Sequence, residues 1–251
     1  FWLLSSSLRL GKQEKHRQEI AACLARHEAP DLRALYAGTM LAYDQGIEEA
    51  RRAYEMQRTP LTAFQYGRML LDLPQSLEIL HESVRLAEQS GRPYEVARNV
   101  EALATKLLKA GQYQSAEHWA SYGLQTINKH NLMDKYRQLL LLNAWAFARL
   151  MLGKTAGLED VLRTNTLGRE SGLQVSARHL FRSTTADYLL ATDRTTEALP
   201  IYEELLEEAS RRERPQFLYG IARCLLSLGQ REQAAQLVDQ HLTLQEGAYP
   251  T

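Results

Sequence analysis

The first residues to test for chemistry are Gly153-Lys154-Thr155, the order that ends a phosphate-binding P-loop. A P-loop also needs a glycine five residues before its second glycine, and this chain has Ala148 there. It needs a preceding strand too, whereas Asn143-Ala144-Trp145-Ala146-Phe147 continues a helical pattern. Gly153 is therefore read as a glycine that ends a helix, with Lys154 near the negative end of the helix dipole. Seven histidines are present, but none is spaced from another His, Cys or carboxylate as metal ligands are. His118 beside Trp119, and His179 beside Leu180-Phe181, are placed at the edge of a core rather than read as general bases. The carboxylate pairs Glu48-Glu49, Glu203-Glu204 and Glu207-Glu208 cannot share a reacting group, because neighbours on a helix diverge by about 100°. They are read as solvated faces, with Glu207 paired to Arg211 one turn on. The run Arg211-Arg212-Glu213-Arg214 is expected to close a helix ahead of Pro215 rather than to touch nucleic acid. Ser5-Ser6-Ser7 and Ser183-Thr184-Thr185 lack the glycines of a nucleophile elbow. The expectation is a protein that is not an enzyme, with no catalytic residue, no cofactor and no metal.

Composition narrows the partners. The 251 residues carry 30 Lys+Arg and 30 Asp+Glu, so no global field draws the chain to nucleic acid or to an acidic membrane. With 45% hydrophobic and 24% charged residues it has ample material for a long core. Cys23 and Cys224 lie far apart on apolar helical faces, as free thiols in a reducing, cytoplasmic compartment do. Phe1-Trp2-Leu3-Leu4 is apolar, but Ser5-Ser6-Ser7 and Arg9 interrupt it well short of the ~20 residues of a membrane span. Because the chain begins with Phe on an apolar run, it is read as a piece of a longer protein, and that exposed start suggests self-association as an alternative role.

The elements that would position any site are helices. Apolar residues recur at helical spacing almost throughout, and strand-like alternation is absent over any useful length. Breaks are expected around Gly46, Pro60, Pro74, Gly91-Arg92-Pro93, Gly111, Gly153, Thr192-Asp193, Pro215 and Gly229. Several breaks open the same way. Gly111-Gln112-Tyr113-Gln114-Ser115-Ala116, Asp193-Arg194-Thr195-Thr196-Glu197-Ala198 and Gly229-Gln230-Arg231-Glu232-Gln233-Ala234 each put an alanine five residues after the turn begins. Gln45-Gly46-Ile47-Glu48-Glu49-Ala50 has the same form. A helix hairpin packs so closely at this point that only a small side chain fits. Small residues also precede the breaks at Gly38, Ala104, Ala146, Ala186 and Ala222, and four pairs (Gly38/Ala50, Ala104/Ala116, Ala186/Ala198, Ala222/Ala234) stand twelve apart.

This pattern resembles the tetratricopeptide repeat (TPR), a helix-turn-helix unit with small residues at its eighth and twentieth positions. The resemblance implies an all-α fold, a right-handed superhelix (α-solenoid) of antiparallel helix hairpins. It divides the chain into a helical N-terminal cap over 1–30, about six helix pairs over 31–247 and a tail over 248–251. The segments 67–86 and 146–165 fit the second-helix pattern poorly. Uneven turn spacings, 42 from Gly111 to Gly153, 40 to Asp193 and 36 to Gly229, are similar to those of repeat sensor domains in bacterial transcriptional and signalling regulators. Carried over position by position, the resemblance implies a concave groove that binds a protein or peptide. It would be lined by Arg98, Glu101, Thr105 and Lys109, then Asn143 and Phe147, then Ser183 and Asp187, then Gln216, Tyr219 and Arg223. A receptor for a small peptide signal and a dimerisation domain are the other readings.

Overall fold

A computed structural model of the chain describes residues 22, 24, 29–40, 43–164, 172, 174–211 and 213–246. The apolar start at Phe1 to Leu4, Cys23, most of the expected cap and the tail lie outside the described residues. Among the described residues every regular element is an α-helix, as expected. They form two compact units, 1–145 and 146–251.

The first unit contains α1 (Pro30–Met40), α2 (Tyr43–Met56), α3 (Pro60–Met69), α4 (Leu73–Gln89), α5 (Pro93–Lys109) and α6 (Tyr113–Lys129). Helix α7 (Lys135–Met151) runs across the division between the units. The second unit contains α8 (Leu158–Thr164), α9 (Val175–Ala191), α10 (Thr195–Glu208), α11 (Arg214–Ser227) and α12 (Arg231–Glu246). In the first unit α1 packs on α2, α3 on α4 and α5 on α6, while α1 also meets α3 and α3 meets α5. The second unit repeats the scheme, with α9 on α10, α11 on α12 and α9 on α11. Hairpins that stack with their first helices side by side produce this alternation.

Local chemistry sets the helix limits. Proline occupies the first turn of α3, α4, α5 and α11, where its missing N–H costs nothing. Thr59 closes a capping box with Thr62, and the Asp72 carboxylate accepts from the Gln75 N–H at 2.8 Å. At the other end, Gly111 turns left-handed at φ 70° and lets the Gln112 N–H reach back to the Leu107 carbonyl at 2.9 Å. Asp193 does the same after α9 at φ 59°, the Arg194 N–H reaching the Leu189 carbonyl at 2.8 Å.

Close packing explains the recurring alanines. Ala50, Ala104, Ala116, Ala146, Ala186 and Ala198 are fully closed off from solvent, and Ala222 and Ala234 nearly so. Gly46, read from the sequence as a break, instead lies inside α2. A Cβ there would come within 2.7 Å of the Ala37 carbonyl oxygen, so the glycine serves helix contact, not a turn. The basic run also differs from expectation. Helix α10 ends at Glu208, so Arg211 lies in the following turn and Arg214 opens α11. Glu207 and Arg211 thus do not share a helix, and the ion pairs on this face run instead from Arg182 of α9 to Glu204 and Glu208.

Candidate functional site

Helix α5 is held in place by Asn99, which is fully buried. Its amide donates to the Pro60 carbonyl at 3.1 Å and the Ser83 carbonyl at 2.9 Å, tying α5 to the start of α3 and to α4. Its remaining oxygen accepts from Arg98 Nε at 3.0 Å, which sets the Arg98 guanidinium 4.6 Å above the Phe64 ring. Burial pulls Arg98 down to about 10.

One turn further along, the first helices of three pairs line an open groove with a volume of about 490 Å³. Helix α5 contributes Glu101, Thr105, Lys106 and Lys109, α3 contributes Phe64 and Arg68, and α1 contributes the small residues Ala37 and Gly38. Three of the four groove residues expected on α5 line it. Arg68 donates to the Gly38 carbonyl at 2.7 Å and to Gln65 at 2.6 Å. The Lys106 ammonium donates to the Leu70 carbonyl at 2.6 Å, and burial, then Lys109, lowers it from the ordinary lysine range. Glu101 accepts from Arg137 Nη1 at 3.1 Å, while its burial outweighs Arg137 and Arg68 and raises the carboxyl above the usual carboxylate range. The lining thus holds three cations against one carboxylate. Phe64, Arg68 and Lys106 were not foreseen. A signal for them was present in Gly67, which stands beside Arg68 as Ala104 stands beside Thr105.

In the second unit three expected residues meet. Asp187 of α9 accepts from the Tyr202 hydroxyl at 2.8 Å and from Arg223 Nη1 at 2.6 Å, and the Arg223 guanidinium lies 5.7 Å from the Tyr219 ring. Burial, then the Asp187 charge, pushes the Tyr202 phenol far above its ordinary range. Tyr219 and Gln216 are exposed, whereas Ser183 turns its hydroxyl back to the Leu180 carbonyl at 2.9 Å. Helix α7 carries two further expected residues. Asn143 is only 5% exposed, so its amide does not present itself to a guest, and Phe147 is half-buried.

The histidines also sort differently. His118 is exposed against the edge of Trp119, but His179 is 1% exposed rather than at a boundary. Its Nε2 lies 3.2 Å from Glu208 and its Nδ1 3.4 Å from Glu213, with the Phe217 ring against its edge. Cys224 is a buried free thiol that burial raises further. Among the described residues no group of His, Cys, Asp and Glu is arranged to hold a metal ion, and no helix is long and apolar enough to cross a membrane.

Comparison with known proteins bears on the arrangement of hairpins. The family model described as tetratricopeptide repeat matches residues 189–246, from the end of α9 to the end of α12. Two crystal structures of the nearly identical TPR-like repeats of a Podosopora anserina protein assigned as a kinesin light chain are also similar. One, with a single substitution, has a TM-score of 0.54 at 20% identity, covering 88% of this chain and 98% of that one. The other has a TM-score of 0.52 at 20% identity, covering 90% and 100%. The chain is TPR-like. Curated proteins supply no match to it. Repeats of the TPR type generally mediate protein–protein interaction.

Proposed function

We propose that this TPR-like domain is a non-catalytic interaction module that holds a partner's extended acidic segment against α1, α3 and α5. The observation that carries the reading is the open groove of about 490 Å³ whose wall sets Arg68, Lys106 and Lys109 against Glu101 alone. Each cation keeps N–H donors beyond those used by the Gly38, Gln65 and Leu70 oxygens, so a carboxylate entering there gains charge-assisted hydrogen bonds. Buried Phe64, with Arg98 at 4.6 Å and Arg68 at 5.6 Å from its ring, fixes these cations at the groove wall. In the second unit, exposed Tyr219 beside Arg223, with Gln216, Ser183 and Asp187, supports a further contact face for the same kind of partner.

The test compares fluorescein-labelled peptides of six glutamates and of six lysines by anisotropy. Preferential capture of the acidic peptide is expected. Lys109 is exposed, so Lys109→Glu leaves the fold intact and weakens that capture about tenfold, the effect of losing roughly 1.4 kcal/mol. Equal affinity for the two peptides, or an unchanged Lys109→Glu variant, removes the reading.

Within this function, the finer reading is the sensor or scaffold part of a bacterial transcriptional or signalling regulator in the cytoplasm. It is supported by the uneven turn spacings and by the free Cys224 thiol. Self-association through Phe1 to Leu4 concerns residues outside those described. A monomer by light scattering across a wide concentration range would remove it.

A further inference from the structure

We infer that Glu101 is the selectivity determinant of the α1, α3 and α5 groove: it admits an acidic guest side chain only after taking up a proton, so capture of an acidic segment strengthens as pH falls. The inference rests on the reading that this groove takes an acidic peptide.

Glu101 is the one anionic residue on a wall that otherwise carries Arg68, Lys106 and Lys109. A guest carboxylate that reaches those cations must come close to it. Two carboxylates brought close together repel, which favours the protonated form of one of them. The groups around Glu101 decide which. Arg137 of α7 pairs with it at 3.1 Å, but the same guanidinium lies 3.3 Å from Asp134, so its charge is shared between two acids. Arg68 of α3 attracts the ionised form, Asp134 opposes it, and the Thr105 hydroxyl on α5 is 3.5 Å away. Glu101 in turn raises the neighbouring Tyr136 phenol of α7, after burial has done so. Helix α1 brings only Ala37 and Gly38 and no charge. Against this set, burial dominates and favours the neutral acid. A guest carboxylate sits among exposed Lys109 and the remaining donors of Arg68 and Lys106, so it keeps its charge while Glu101 takes the proton from solvent. Protonated Glu101 then has an O–H to donate to the guest, where the ionised form has only repulsion.

The sign follows. Guest binding favours the protonated acid, so affinity is high below the raised range of Glu101 and falls as pH rises through it. The test measures capture of the labelled hexaglutamate by the full chain between pH 5.5 and 8.5 at constant ionic strength, where the peptide stays ionised. The wild type is expected to weaken about tenfold across the range, the effect of one unit of coupling between like charges. Glu101→Gln, which is neutral at every pH, is expected to bind more tightly than the wild type at pH 8.5, with a flat profile. Calorimetry of the wild type in two buffers of different ionisation enthalpy counts protons directly, and net uptake on binding is expected even if the variant folds poorly. A flat wild-type profile, no proton uptake, or a Glu101→Gln variant weaker at every pH overturns the role of Glu101 while leaving the groove in place. Hexaglutamate that binds neither protein at any pH overturns the groove reading itself, and this inference with it.

Discussion

Gly220 shows how a single hydrogen atom in place of a side chain sets the position of a neighbour. A Cβ at this point of α11 would overlap the ring of Tyr202, and the ring cannot step aside because its hydroxyl is bonded to Asp187 at 2.8 Å. Gly220→Ala is therefore expected to lower stability by about 1–3 kcal/mol, read as a fall in melting temperature, because the contact is with a rigid ring and not a flexible chain end. Wild-type melting would mean that α10 and α11 separate at little cost. The acid side of the pH profile belongs to a second residue cluster. Glu208 is held below the usual carboxylate range by its bond to His179 and by Arg182, and Glu213 by Ser210 first and then His179. Carboxyls depressed in the folded state contribute stability that is present above their unfolded value, near 4.5, and is lost as pH falls through the folded values. Replacing both with Gln should flatten the decline of melting temperature below about pH 4.5. An unaltered slope would show that the bonds to His179, Arg182 and Ser210 do not hold these two carboxyls low in solution.

At the scale of elements, Asn99 is the residue through which three helices are fixed to one another. Asn99→Ala leaves the Pro60 and Ser83 carbonyls and Arg98 Nε without their partner, and the expected loss is about 2–4 kcal/mol, from buried polar groups left unpaired as well as the bonds themselves. Denaturant unfolding measures it, and a change below about 0.5 kcal/mol would show that water replaces the amide. The hairpins were legible in sequence because tight contact restricts residue size, and Ala104, Ala116, Ala186 and Ala198 record that restriction. The α3–α4 pair escaped for an identifiable reason. The small residue in the fourth position of α4 is Ser76, fully buried with its hydroxyl on the Gly67 carbonyl at 2.7 Å, and it stands nine, not twelve, after Gly67 because Gly67 lies nearer the end of α3 than Ala104 lies to the end of α5. With 67–86 fitting the repeat pattern poorly, no groove residue was assigned on α3, and Phe64 and Arg68 were left out. Gly46 was misread because a glycine that permits a turn and one that permits two helices to touch look the same in sequence. Asn143 is nearly covered, which the sequence does not show because helical period assigns a face without stating how much packs over it.

For the whole molecule, charge balance and the groove make opposite demands on a partner. With 30 cationic and 30 anionic side chains, the chain as a whole exerts little pull on an acidic peptide at a distance, while the groove wall attracts it strongly on contact. Long-range steering acts on the rate of encounter, and contacts made in a partly buried site act on the rate of escape. Salt separates the two. The screening length shrinks from about 10 Å at 0.1 M to about 3 Å at 1 M, which removes a field spread over the surface but reaches a partly enclosed pair much less. Stopped-flow association of labelled hexaglutamate should therefore vary by no more than about threefold between 0.05 and 0.5 M salt, with an unsteered rate constant of roughly 10⁵–10⁷ M⁻¹s⁻¹. Lys109→Glu should act mainly by hastening dissociation. An association rate that falls steeply with salt would instead mean that the positive groups of the groove extend into a larger field than the neutral total allows, and that the peptide is guided before it is held.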